Sequence, residues 1–206
     1  RRVLEQIRKQ TAVSDAQDVR LQEELYHGRT AKQVDNFLAK ELKPLITEMA
    51  ARKVAIPEFE EYLHARHAEE ANIVIAQRNQ NNPGLQDGGS GMDTQDAKDY
   101  LANLDPAKKR AYEALAKRVD AINAQTRQTW VDYGLTAQTD VDAMEAAYKH
   151  YVPLHREDMD NGPGIGQGFS VKGPAVKRRT GSKRAVVDIL ANIAMQREKA
   201  IVRGEK

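Results

Sequence analysis

The chain has 206 residues, 40% hydrophobic and 30% charged but only 5% aromatic, with 32 basic against 30 acidic side chains and a formal net charge of +2. The absence of cysteine excludes a disulfide scaffold and a thiolate metal site, and a balance this close to neutral does not by itself point to nucleic acid. The longest apolar stretch, residues 73–76, falls far short of the roughly 18–20 residues that span a bilayer, so a soluble protein built of Ala/Leu-rich helices is expected, as one domain or two sub-bundles.

In chain order, residues 1 to about 27 are polar but helix-prone, with Val3, Leu4, Ile7, Val13, Leu21 and Leu25 as apolar positions and Gly28 as the expected stop. Thr30 with Gln33 has the spacing of a capping box and opens a second helix. Its residues Val34, Phe37, Leu38, Leu42, Leu45, Ile46 and Met49 recur at steps of three and four, the stripe of an amphipathic helix. Pro44 is expected to distort that helix, since it removes a donor and crowds the preceding turn. Pro57 is well placed to start a third helix, to about Arg78. On it Phe59, Tyr62, Leu63, Ile73 and Val74 share an arc of about 120° that also holds Arg66 and Glu70. These two are read as a buried ion pair that fixes register. His67 lies at the edge of the stripe, and His64 is expected to face solvent.

Residues 79–93 carry four glycines and no periodicity, so they are a loop. Asp93 or Thr94 caps a short helix through Leu104, and Asp105-Pro106 starts a long one that Gly134 ends. Thr139 or Asp140 opens another, through Met144 and Tyr148, and Val152-Pro153 forces extended chain after it. Glycines at 162, 164, 166, 168, 173 and 181 mark a second breaker-rich stretch, and a last helix is expected over about 182–203. The fold class is therefore all-α: an irregular bundle of about seven helices with two long Gly-rich loops. It divides into N-terminal helices 1–78, the loop 79–93, a central helical segment 94–157, a basic arm 158–184 and a C-terminal helix 185–206. Both ends have helical character and are expected to continue into a longer polypeptide.

Little in this pattern carries chemistry. His64 and His67, with Glu60, Glu61 and Glu70 nearby, point about 60° apart on a helix and lack the three convergent ligands zinc requires, so no metal site is assigned. There is no nucleophile elbow, and no Glu stands in a diagnostic context. The glycine runs 88–91 and 162–168 lack the strand or the Gly-Lys-Ser/Thr ending of a phosphate cradle. No catalytic residue and no cofactor are assigned. The strongest feature is basic: Lys172, Lys177, Arg178, Arg179, Lys183 and Arg184 occur in a stretch, 161–187, without one acidic residue. Flexible cations of this kind settle on a phosphate backbone and release its counterions.

Several strings also occur together in one known group. They are Glu61-Tyr62-Leu63-His64-Ala65-Arg66-His67-Ala68-Glu69-Glu70-Ala71-Asn72, Gly89-Ser90-Gly91-Met92, Tyr148-Lys149-His150-Tyr151-Val152-Pro153-Leu154, Gly168-Phe169-Ser170-Val171-Lys172-Gly173-Pro174 and Asp188-Ile189-Leu190-Ala191-Asn192. The closing Ala200-Ile201-Val202-Arg203-Gly204-Glu205-Lys206 joins them. From about Glu60 onward the chain resembles the large multi-domain polyvalent proteins of tailed bacteriophages and prophages, which include internal virion and DNA-ejection proteins and DarB-like antirestriction proteins. The resemblance implies a virion protein delivered with the genome into the host cytoplasm or envelope. Its partners would be other domains of the parent chain, other virion proteins, DNA, or further copies in an oligomer. The expected role is a non-catalytic scaffold; the rivals are a fragment of a phage enzyme such as a muramidase, and a dedicated nucleic-acid-binding module.

Overall fold

The computed structural model describes residues 19–154, 181–182, 186 and 188–206. Among the described residues the regular structure is helical, with no strand. The helices are α1 (Val19–Phe37), α2 (Lys43–Ala51), α3 (Ile56–Arg78), α4 (Thr94–Asn103), α5 (Pro106–Asp132), α6 (Gln138–Ala147) and α7 (Ile189–Glu205). A π turn, Leu38–Leu42, joins α1 to α2, so these two form one rod. No helix among the described residues is long and apolar enough to cross a membrane.

The expected break at Gly28 does not occur: α1 runs through it and through Thr30. One glycine weakens a helix without ending it when the flanking residues are good helix formers and another helix covers the chain. The distortion expected near Pro44 does occur, one turn earlier than the proline itself. The proline cannot donate, and the wide π turn just before it, closed by the Lys43 N–H on Leu38 O, absorbs the misfit. That extra residue per turn also splits the apolar stripe. Phe37, Leu45 and Met49 are buried, whereas Leu38 and Ile46 are turned outward.

The remaining boundaries follow local chemistry. Pro57 stands in the first turn of α3. Asp105 caps α5 by accepting from the N–H groups of Ala107 and Lys108. Gly134, at φ +65°, ends α5 with Gly134 N–H on Val131 O and Leu135 N–H on Trp130 O. The last helix begins later than expected, at Ile189 rather than near Ser182.

One cluster of buried apolar side chains holds these elements together. Phe37, Leu45 and Met49 come from the first rod, Phe59, Tyr62 and Leu63 from α3, Tyr112, Leu115, Val119 and Ile122 from α5, and Ile189, Ile193 and Ile201 from α7. Val152, from the extended chain after α6, is fully buried in the same cluster. Elements on both sides of the 79–93 loop thus share this core. Ala65 and Ala68 of α3 meet Ala97 of α4, where small side chains let the two helices approach. The helix α3 is enclosed on nearly every side, and this forces its polar residues indoors.

Candidate functional site

The polar side chains of α3 lie on two faces. At steps of four and three, His64, Ala68, Asn72 and Ile75 form a stripe that is buried throughout. Against it lies the loop after α3. Asn72, 2% exposed, donates through Nδ2 to Asp87 Oδ1 (2.9 Å), Met92 O (2.9 Å) and Thr94 Oγ1 (3.1 Å), and its Oδ1 accepts from Ser90 N–H (2.7 Å). Asp87 in turn accepts from the main-chain N–H groups of Gly88 and Thr94 and from the Thr94 hydroxyl. His64 reaches Ser90 O at 3.0 Å; a carbonyl can only accept, so Nε2 carries the proton. His64 is therefore buried and engaged, contrary to its expected solvent position. The glycines here are steric requirements. A Cβ on Gly89 would stand 2.6 Å from Ile75 Cγ2. Gly181, at φ +83°, presses on the same methyl from the other end of the chain, and Ser182 N–H donates to Gly89 O (2.9 Å).

The second face carries charge. Arg66 and Glu70 do not pair with each other as the sequence suggested, because each finds a better-placed partner across a helix interface. Arg66 makes a two-pronged bond to Asp120 of α5, at 2.5 and 3.0 Å. Glu70 accepts from His67 Nδ1 (2.6 Å) and from the main-chain N–H groups of Lys149 (2.8 Å) and His150 (2.9 Å). Burial pushes the Glu70 carboxyl up, but the His67 bond together with the two main-chain donors outweighs it, and the group sits below its usual range. His67 is fully buried, with the rings of Tyr148 and Tyr151 5.4 and 5.8 Å away. Asn123 of α5 donates to Tyr151 O, and Gln196 of α7 donates to the Tyr151 hydroxyl.

A third tie runs to the last helix. Glu60 Oε1 accepts from Leu190 N–H (2.9 Å), serving as N-cap where Asp188, at φ 50°, supplies no side-chain bond of its own. Burial raises the Glu60 carboxyl above its ordinary value; the Leu190 N–H pulls it down, and Asp188 adds like-charge repulsion that raises it further.

Three of the sequence strings that carry the resemblance thus converge on α3. The 61–72 string supplies His64, His67, Glu70 and Asn72; these hold the 89–92 and 148–154 strings, and neighbouring Glu60 caps the helix that starts in the 188–192 string. The chain before the basic stretch and Gly181 near its end meet the same helix, at Glu70 and at Ile75, five residues or about 7 Å apart along its axis. Lys172, Lys177, Arg178, Arg179, Lys183 and Arg184, the 162–168 glycines and the 168–174 string lie outside the described residues.

Sequence reasoning missed Asp120 and Asn123 and gave Asn72 and Glu60 no structural role. Asn123 had a visible signal: it falls four residues after Val119 and three before Thr126, a polar residue inside the apolar stripe of α5. Asp120 and Glu60 had none, since their partners are more than fifty residues away. Comparison with protein-family models, with curated proteins and with solved structures finds no match for this chain.

Proposed function

We propose that the chain is a structural and interaction module of a large phage-type polyvalent protein, one that presents the basic stretch 172–184 to DNA from a helical base. The observation that carries this reading is the convergence on α3. Side chains of the kind used in catalysis (His64, His67, Glu70, Asn72) are engaged in holding distant segments of the chain, including the segment before the basic arm. The contacts of Glu70 and Ile75 lie close together on one helix and fix the chain before the arm and near its end, which suits a backbone-directed electrostatic contact by the cations between. The ordered strings shared with polyvalent phage proteins supply the setting: a virion protein delivered with the genome and assembled with other ejected proteins.

Fluorescence anisotropy with labelled double-stranded DNA over a salt series tests the reading, beside an Arg178/Arg179/Arg184→Glu triple variant. Wild type is expected to bind with a steep negative salt slope, and the variant to lose both affinity and slope. Absence of wild-type binding at low salt would remove DNA and leave a protein partner for the arm.

A further inference from the structure

The segment 148–154 is the arm's first root, and it adopts neither helix nor strand. Side chains of other elements hold it: Glu70 on the N–H groups of Lys149 and His150, Asn123 on Tyr151 O, His67 between the two tyrosine rings, and Val152 in the core. Beneath it the polar groups are not all satisfied. Among the described residues, the atoms His150 Nδ1, Arg66 Nε and Asn123 Oδ1 are buried and find no hydrogen-bond partner. A half-buried imidazole whose inward nitrogen has no acceptor sits comfortably while neutral, but an imidazolium would hold a proton on that nitrogen without water or an acceptor to meet it.

We propose that residues 148–154 form an acid-released clasp: neutral His150 lets the segment lie on α3 and α5, and proton uptake by His150 expels it, freeing the arm's first root while the second stays docked. The biological use of the clasp rests on the reading of the arm given above; the clasp itself rests on these contacts. The charged groups that act on His150 are Arg66 and Glu70 from α3, Asp120 from α5 and Lys149 from its own segment. Burial lowers the His150 pKa most, Arg66 lowers it further, and the opposing pull of Glu70 and Asp120 is the weaker influence. Both carboxylates are already engaged, by His67 and by Arg66. A histidine depressed in the folded state contributes stability that is present above its ordinary value of 6.5 and is lost as pH falls below it. Glu70, depressed from 4.5, keeps its contribution until pH falls below that value. A step from pH 7.5 to 5.5 therefore crosses the ordinary histidine range while staying above that of Glu70, and the His150 variants separate His150 from the other histidines. The second root rests on Gly181 packed against Ile75 and on the Ser182 N–H bond to Gly89 O, contacts without charge.

Hydrogen exchange read by mass spectrometry tests the clasp on the protein alone, with rates corrected for intrinsic pH dependence. Between pH 7.5 and 5.5 the amides of 148–154 are expected to lose clearly more protection than those of α5 and of 181–182. His150→Phe and His150→Asn, each accepted as folded when α5 keeps its protection, are expected to abolish that difference. The proposal is overturned if 148–154 follows α5 in the wild type, or if either folded variant retains the drop. DNA anisotropy at the two pH values and fixed salt reads the use of the arm separately, so failure of DNA binding leaves the exchange result standing.

Discussion

Single residues in this fold act as knots between segments far apart in sequence. Asn72 is the clearest, because its amide group both donates and accepts: three oxygens face Nδ2 and one N–H faces Oδ1. Asn72→Asp would set a carboxylate against those oxygens inside the fold and is expected to cost about 2–3 kcal/mol, read by urea unfolding. A cost no larger than that of a surface substitution would show that the loop is held by other means. Gly89 and Ile75 give a second test. Gly89→Ala puts a methyl group on Ile75 Cγ2, an overpacking expected to cost about 1–3 kcal/mol. Ile75→Ala removes the obstacle, so the double variant should cost clearly less than the two single changes added together.

At the scale of the element, two helix ends of the same geometry make an internal comparison. The end of α2 has Lys53 N–H on Ala50 O and Val54 N–H on Met49 O, and the end of α5 repeats the pattern at Gly134 and Leu135. The left-handed position is filled by Gly134 in one and by Lys53, at φ 54°, in the other. A side chain there costs about 1–2 kcal/mol relative to glycine, partly offset by the freedom glycine loses on folding. Lys53→Gly is therefore expected to raise stability modestly. Gly28 is the reverse case: it lies inside α1, and a Cβ there would meet nothing within 4 Å. Gly28→Ala is expected to stabilise by about 1 kcal/mol, or about 2–4 °C in Tm for a chain of this size, measured by calorimetry. No gain would mean that α1 is not continuous through that point in solution. Glu60→Ala should uncap α7 and cost about 1 kcal/mol, whereas Glu60→Gln keeps an acceptor and removes a charge that burial and Asp188 disfavour.

For the whole molecule, the charge pattern sets a pH profile. Glu48 is held below its ordinary value by Arg118 and Arg52, Glu58 by Tyr112 and Lys108, Glu205 by Tyr133 with Arg29, and Glu70 as described. Each depressed carboxylate contributes stability present above about 4.5 that disappears on protonation, so Tm should fall as pH goes from 5 to 3. Glu60, shifted upward, works the other way and softens the loss slightly. Most of these side chains are partly exposed, so added salt should flatten the profile. Survival of full Tm at pH 3 would show that these carboxylates contribute little. Their positions also explain the architecture: they tie the first rod to α5, α3 to α5, and α1 and α5 to α7, around the shared core.

The all-helical class, the starts of α3 and α5, the loop at 79–93 and the glycine stop at 134 were legible in the sequence. Each depends on interactions within a few residues: a cap and its N–H groups, a proline's fixed φ, a glycine's left-handed freedom, a periodic stripe. The basic stretch was legible too, as composition. The partners of Arg66 and Glu70, the burial of His64 and His67, and the passage of α1 through Gly28 were decided by tertiary structure. A helical wheel gives the direction of a side chain but not what stands opposite it, and α3 is enclosed on nearly all sides. Arg66 and Glu70 at four-residue spacing therefore looked like a pair until Asp120 and the N–H groups of Lys149 and His150 were brought against them.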